Sequence, residues 1–218
     1  MVDEELQKKI TALVTEGKME TAEQLLIDYV EQNPYDIEGW NRLIMLEALA
    51  PLEDYEQAAD FAWGALYYHQ NNLLFFILIL SFTPWFQGEL DGELADQAEE
   101  VQSEADPEMA SIISLLLADH YRGKDKDKYE FLLKRSIEYY PYIVRNYTDI
   151  GEHYMGYGQK ELGKTLIKKG LANVKFVYIE GEENGHDELD IIRYINEMVS
   201  CVFITEVNYR YLEKLLRQ

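Results

Sequence analysis

One short segment of the sequence matches a pattern that binds phosphate. Residues 158–165 read Gly-Gln-Lys-Glu-Leu-Gly-Lys-Thr, which satisfies G-x-x-x-x-G-K-[ST]. A functional phosphate loop follows a buried strand and opens a helix, so that backbone N–H groups converge on the phosphates. Residues 147–157 and the run from Gln159 to Leu162 instead favour helix. We therefore predict a turn between two helices here, with no nucleotide and no cofactor bound.

The histidines are the second set of residues whose types and spacing could do chemistry. His120, His153 and His186 are separated by 33 residues each, and each has an acidic neighbour. Adjacent repeats could bring His120 close to His153, where imidazole and carboxylate groups would suit a divalent metal. The alternative is that these residues and His69 lie partly exposed on helix surfaces. We expect that arrangement and no metal site.

No other pattern indicates catalysis. The sequence contains neither H-E-x-x-H nor G-x-S-x-G, and carboxylates are too numerous for one pair to indicate a general acid and base. Cys201 is the only cysteine, which excludes an internal disulfide and a thiolate zinc site and fits a reducing compartment. We predict that the protein is not an enzyme.

The formal net charge of −21 is unevenly distributed along the chain. Residues 1–121 hold 25 acidic and four basic side chains, whereas residues 122–218 hold 16 of each. Such a field repels phosphate backbones and anionic lipids, so neither nucleic acid nor a membrane is an expected partner. The acidic N-terminus lacks the apolar stretch of a signal peptide, and the apolar run at residues 73–81 is too short to span a bilayer. We expect a cytoplasmic protein.

The densest acidic segment, residues 89–108, contains nine carboxylates and no basic side chain. Such a run has two interpretations, a solvated helix face or a docking surface for a basic segment of a partner protein. Both stay open on the sequence alone. The candidate docking residues are Glu89, Asp91, Glu93, Asp96, Glu99, Glu100 and Glu104.

The elements that would position these residues recur about every 34 residues. Each stretch contains two amphipathic helical patterns with a glycine or polar turn between them, often followed by proline. The predicted helix pairs are 3–16 with 19–32, 37–49 with 55–69, 73–82 with 93–104, 107–121 with 128–140, and 142–157 with 160–172. Because one pair cannot bury its apolar face alone, stacking of neighbouring pairs must supply the core.

The end of the chain has a different pattern. We predict a repeat region over residues 1–174 and a helical cap over residues 175–218, packed on the last repeat within a single structural unit. After a polar break at residues 181–185, apolar residues recur at roughly helical spacing from Leu189 to Leu216, which favours one long or bent helix. The alternative is a short hairpin, because residues 176–179 and 202–207 have β-prone composition.

The repeats resemble those of the tetratricopeptide-repeat family, which prefers glycine at the turn and small residues in the second helix. The repeat that fits best contains Tyr147, Ile150, Gly151, Tyr154, Gly158, Gly163 and Gly170. A second repeat is matched by Gly17, Ala22 and Pro34, and residues 73–106 depart most from the pattern. The resemblance covers about residues 1–174. It implies an all-α fold, a right-handed solenoid of about five helical hairpins with a C-terminal capping helix.

The resemblance also implies a function. In that family the first helices line a groove that receives a peptide or a partner helix. By this correspondence the groove residues are Asn41, Met45, Ile113, Leu117, Tyr121, Arg145, Thr148 and Met155. We expect a scaffold that binds a protein or peptide partner through this groove or the acidic face. The alternatives are an accessory module of an enzyme such as a glycosyltransferase and, less favoured, a nucleotide-binding enzyme.

A basic strip is predicted on the second helix of the last pair. Lys160, Lys164 and Lys168 recur at four-residue intervals, which places them along one helix face. They could be solvated or locally paired, or they could contact the acidic first part of a second copy in a homodimer. An apolar patch at residues 75–86 offers another route to a dimer.

Overall fold

Helices account for most of the chain. The computed structural model describes residues 4–179 and 189–217. The helices before the C-terminal segment are α1 (Glu4–Thr15), α2 (Met19–Gln32), α3 (Ile37–Ala48), α4 (Tyr55–Tyr68), α5 (Leu73–Gln87), α6 (Gly92–Glu104), α7 (Pro107–Tyr121), α8 (Lys126–Tyr139), α9 (Val144–Gly156) and α10 (Lys160–Ala172). The C-terminal segment contains β1 (Phe176–Tyr178), α11 (Ile191–Tyr194), a π-helical turn (Ile195–Val199), β2 (Phe203–Thr205) and α12 (Glu206–Arg217).

Short polar side chains fix where six of these helices begin. An Asp or Asn precedes each helix from α3 to α8, and its side-chain oxygen accepts a hydrogen bond from a backbone N–H of the first turn. Such a cap stabilises a helix by about 1 kcal/mol. In α7, Pro107 follows the cap, at a position where its missing N–H costs nothing. The predicted boundaries 19–32, 107–121 and 160–172 coincide with α2, α7 and α10.

The described residues divide into two compact units, 4–89 with 189–191 and 90–179 with 192–217. In the first unit each helix from α1 to α5 packs against the next along the chain. Helix α5 extends past the predicted end at residue 82 to Gln87, with Pro84 inside it. It is largely buried, so of the apolar patch predicted at residues 75–86 only Trp85 and Phe86 are exposed. The hydroxyl of Thr83 donates to the carbonyl oxygen of Ile79 at 2.7 Å within this stretch, and Gly88, with φ +86°, ends the helix.

In the second unit α6 packs against α7, α7 against α8, α8 against α9, and α9 against α10. Small polar residues allow close contact in this core. The hydroxyl of Ser111 donates to the carbonyl oxygen of Ser136 at 2.8 Å, and the hydroxyl of Ser136 donates back to the carbonyl oxygen of Ser111 at 2.7 Å. Asn146 donates to the Ser136 hydroxyl at 2.6 Å, so α9 joins the same buried network.

Two glycines set the distance between α9 and α10. A Cβ on Gly163 would overlap the carbonyl oxygen of Gly151, and a Cβ on Gly151 would lie 2.9 Å from the carbonyl oxygen of Gly163 and 2.7 Å from Ile167. Any larger residue would therefore force the backbones apart. Gly158, with φ +82°, forms the turn between these helices.

The C-terminal segment corrects one expectation. A strand interrupts the predicted long helix, because β2 separates the helical turns at 191–199 from α12. The β-prone stretches do form strands, but β1 and β2 pair in parallel, with Phe176 opposite Phe203, and not as a hairpin. Parallel strands need a long connection between them, and here it is the chain from 179 to 202. Helix α12 packs against α10.

The predicted fold class is confirmed: the chain is an all-α helical-hairpin repeat protein with one two-stranded sheet among the described residues. None of the described helices is both long enough and apolar enough to cross a membrane. The predicted boundary near residue 174 stays a prediction.

Candidate functional site

Helix α6 carries acidic side chains on the face turned away from α7. Leu94, Ala95 and Ala98 are buried on the other face, and Gln102 donates from Nε2 to the carbonyl oxygen of Ala110 in α7 at 3.4 Å. All seven predicted docking residues are exposed. This exposure fits both a solvated helix face and a docking surface, so the docking role of these residues stays a prediction.

Four of these carboxylates form one continuous line, the α6 stripe. Its members are Glu93, Asp96, Glu100 and Glu104, at spacings of three, four and four residues. Like charges at such spacings repel one another and destabilise a helix by about 0.2–0.5 kcal/mol per pair. Helix α6 contains no lysine or arginine that could offset this repulsion. A cationic partner would do so.

The other predicted docking residues differ from the stripe. Asp91 caps α6 by accepting from the backbone N–H of Leu94 at 2.8 Å. Glu99 pairs with Lys128 of α8 at 2.6 Å, and the same Lys128 donates to the hydroxyl of Tyr121 at 2.7 Å. Asp91 and Glu99 therefore serve the fold. Glu89 is exposed in the first unit.

The predicted groove residues fall into two groups. Met45, Ile113 and Leu117 are 0% exposed, so here they contribute to packing and offer no surface to a partner. The partly exposed members are Asn41, Tyr121, Arg145, Thr148 and Met155. These five keep their candidate role, and the groove itself stays a prediction.

The phosphate-loop-like segment lies between two helices, as predicted. Helix α9 ends at Gly156, Gly158 forms the turn, and α10 begins at Lys160. The element directly before the segment is therefore a helix and not a strand, and Gly163 faces the backbone of Gly151 across the helix contact. The two glycines of the pattern therefore have roles in the repeat, one in the turn and one in helix packing.

The histidines lie among aromatic rings. The ring of His153 packs against Tyr129 and Tyr157, at centroid distances of 5.2 and 4.9 Å, and burial lowers the pKa of His153. His120 meets the ring of Tyr121 edge-on at 4.8 Å. Within residues 4–179 and 189–217, no group of three or more His, Cys, Asp or Glu could hold a metal ion. His186 lies outside the described residues.

A charge network without a recognisable sequence pattern lies in the second unit. Arg122 contacts Asp149 at 2.6 Å and Asp119 at 3.1 Å, and Arg145 pairs with Asp119 and lies 3.6 Å from Asp149. Arg145 also donates to the carbonyl oxygen of Val199 at 3.1 Å. Burial raises the pKa of Asp149 in spite of the two arginines. The network joins α7 and α9 to the C-terminal segment, which gives Arg145 a structural role.

A second unexpected group is Glu47, a buried carboxyl of α3. It is 4% exposed, and its Oε1 atom has no hydrogen-bond partner among the described residues. Burial, with the nearby charges of Glu23 and Asp54, raises the pKa of Glu47 to about 7. Nothing in the pattern of α3 indicates this group except its place between the apolar residues Leu46 and Ala48.

The same fold occurs in another protein. The crystal structure of MamA matches with a TM-score of 0.56 at 16% sequence identity, over 74% of this chain and 92% of that chain. The "41-end" portion of MamA from Desulfovibrio magneticus RS-1 matches with a TM-score of 0.57 at 14% identity, over 77% of this chain and 92% of that chain. At such identity the likeness shows a shared helical-repeat fold alone. No protein-family profile and no curated protein matches the sequence.

Proposed function

We propose that the protein is a scaffold that binds a basic segment of a partner protein through the α6 stripe. The observation that carries this proposal is the continuous line of exposed carboxylates without a cation on the same helix. The fold supports it, because helical repeats present extended helix faces to partners. The proposal includes a tetratricopeptide-type repeat, a cytoplasmic location and no catalytic centre.

The expected chemistry is electrostatic. Lysine or arginine side chains of the partner would lie between successive carboxylates of the stripe and remove their mutual repulsion. Exposed charges are screened over about 8–10 Å at physiological salt, so binding should weaken strongly by about 0.5 M salt. Affinity capture at low and then high salt, followed by mass spectrometry, would identify the partner.

Neutralising the stripe should weaken binding of the captured partner by about tenfold at physiological salt, because each exposed ion pair contributes roughly 0.2–1 kcal/mol. The variant replaces three members of the stripe, Asp96→Asn, Glu100→Gln and Glu104→Gln, and the measurement is the Kd by calorimetry. The same variant should unfold at higher denaturant concentration than the native protein, because it removes like-charge repulsion.

A matched control removes three exposed carboxylates elsewhere. The control variant is Glu5→Gln, Glu20→Gln and Glu31→Gln, which changes the net charge equally. It should bind the partner within about twofold of the native protein, because long-range attraction is largely screened. An equal loss of affinity in both variants would show that net charge alone causes the effect. A partner that stays bound after the stripe is neutralised would refute the proposal.

Two alternative functions depend on the identity of the captured partner. Capture of a glycosyltransferase or another enzyme would make this chain the accessory module of that enzyme. Capture of a second copy would support the homodimer. Sedimentation at several salt concentrations separates a contact of the basic strip from one through the exposed rings of Trp85 and Phe86.

A further inference from the structure

Helix α4 presents a second stripe of a different composition. Glu56, Asp60, Trp63 and Tyr67 are spaced by four, three and four residues, so they share one side of the helix, and all four are exposed. The opposite side is lined by buried alanines that pack against the neighbouring helices. We call these four residues the α4 stripe.

The aromatic half of this stripe exposes large ring surfaces. Trp63 is 42% and Tyr67 73% exposed. The ring of Tyr67 meets Tyr68 nearly perpendicularly at 5.1 Å, and Tyr68 meets Tyr35, which is 77% exposed, at 5.6 Å. Tyr68 also stacks on the buried ring of Trp40 at 6.3 Å, which anchors the group. Exposed aromatic groups of this kind are typical of binding surfaces.

The charge around these rings selects the kind of partner. Glu56 and Asp60 belong to none of the ion pairs found among the described residues, in contrast with Glu38, which pairs with Arg42 at 2.9 Å. Residues 1–89 contain 16 acidic and only four basic side chains. The faces of aromatic rings are themselves electron-rich. Carboxylates and ring faces on one surface both favour a cation.

We propose that the α4 stripe docks an arginine-bearing segment of a partner protein. A guanidinium group can stack flat on an aromatic ring while its N–H groups donate in the plane to a carboxylate. Asp60 and Trp63 are one helical turn apart, about 5–6 Å between their Cβ atoms, so one arginine can engage both. A lysine ammonium can pair with Asp60 but has no planar group to stack.

This inference goes beyond the proposed function, because α4 belongs to the first unit and α6 to the second. The two stripes also differ chemically. The α6 stripe consists of carboxylates alone and would take lysine and arginine alike. The α4 stripe combines carboxylates with rings and should distinguish between the two residues.

The test compares three labelled peptides on the full chain by fluorescence anisotropy. They have the sequence Gly-X-Gly-X-Gly-X-Gly-X-Gly, with X as arginine, lysine or citrulline, the neutral analogue of arginine. The arginine peptide should bind about two- to fivefold more tightly than the lysine peptide, because ring faces attract both cations but only the guanidinium adds planar stacking. The citrulline peptide should show no measurable binding.

Three double variants test whether the preference for arginine over lysine arises from the rings of α4. Trp63→Ala with Tyr67→Ala should bring the two basic peptides to equal affinity, whereas Trp63→Phe with Tyr67→Phe should retain most of the preference because the rings remain. Phe131→Ala with Tyr211→Ala removes two exposed aromatic residues outside α4 and should change nothing. Circular dichroism checks that each variant is folded.

Three results would overturn the proposal. They are equal affinities of the native protein for the arginine and lysine peptides, a preference that survives in the Trp63→Ala and Tyr67→Ala variant, and a preference lost when the α6 stripe is neutralised. The last result would show that the arginine site lies on α6, and the proposed function would remain valid. Loss of a captured partner from the α6 variant without any change in arginine preference would support both assignments separately.

Discussion

Replacing Glu47 with glutamine should raise the free energy of unfolding by about 3 kcal/mol at pH 8 and leave it nearly unchanged at pH 4. The pKa of this carboxyl is raised from 4.5 to about 7 in the folded protein. Above pH 7 the native protein must keep a buried carboxylate that has no hydrogen-bond partner for Oε1 among the described residues. Glutamine has nearly the same shape and no charge.

The sign of the pH dependence of stability follows from the raised pKa of Glu47. At pH 4 the carboxyl is largely protonated in both the folded and the unfolded chain, so it contributes little to the pH dependence. Between pH 4.5 and about 7 the unfolded chain releases the proton first, so the native protein loses stability as the pH rises. Above about pH 7 both states are ionised and the contribution is constant.

Urea denaturation at pH 4, 6 and 8 measures this effect. The control is Glu31→Gln, on the exposed side of α2, which should change the free energy of unfolding by less than about 0.5 kcal/mol at each pH. Glu47→Gln with the same pH dependence as the native protein would show that another group is responsible. A variant that is less stable at pH 8 would show that the carboxylate is held by favourable contacts.

Replacing Gly163 with alanine should destabilise the second unit by about 3 kcal/mol, because overpacking of a rigid contact costs roughly 1–3 kcal/mol or more. The new methyl group would overlap the carbonyl oxygen of Gly151 and the side chain of Met155. Met155 can move, but the Gly151 oxygen belongs to the backbone of α9. The variant should therefore lower the unfolding midpoint, measured by circular dichroism.

Gly156→Ala is the matched control, because a Cβ there would meet nothing within 4 Å. It should be neutral or stabilise α9 by about 0.4–1 kcal/mol.

Lys164→Ala tests the nucleotide interpretation of residues 158–165. It should leave stability within about 0.5 kcal/mol of the native value, and calorimetry should detect no magnesium-dependent ATP or GTP binding to either protein. Micromolar binding that Lys164→Ala abolishes would contradict this.

The helices could be predicted from the sequence because their signals are local. Asp106 with Pro107 marks the start of α7, and the apolar spacing of α10 marks both of its ends. The exposure of the α6 carboxylates could be predicted for the same reason, since a run of carboxylates on a short helix must leave most of them exposed, whereas their docking role stays a prediction.

Features that depend on distant contacts were missed. The pairing of Phe176 with Phe203 joins segments whose composition allows strand or helix, and only the partner decides between them. The burial of Met45, and of Glu47 two residues later, depends on how tightly α3 is enclosed by α2 and α4. The α4 stripe was not predicted, because the sequence does not show which of the many aromatic side chains the packing leaves exposed. Its spacing, from Glu56 to Tyr67, was nevertheless visible in the sequence.

The contact between neighbouring helices also bears on how the chain can fold while it is being synthesised. In each unit a helix packs mainly against the next helix along the chain, so each new hairpin can dock as soon as its second helix is complete. The β1–β2 pair is the exception. Phe176 is made well before Phe203, so β1 must wait for its partner strand while α9 and α10 are already able to close around Gly151 and Gly163. The pairing of β1 with β2 therefore forms after the helical hairpins that precede it.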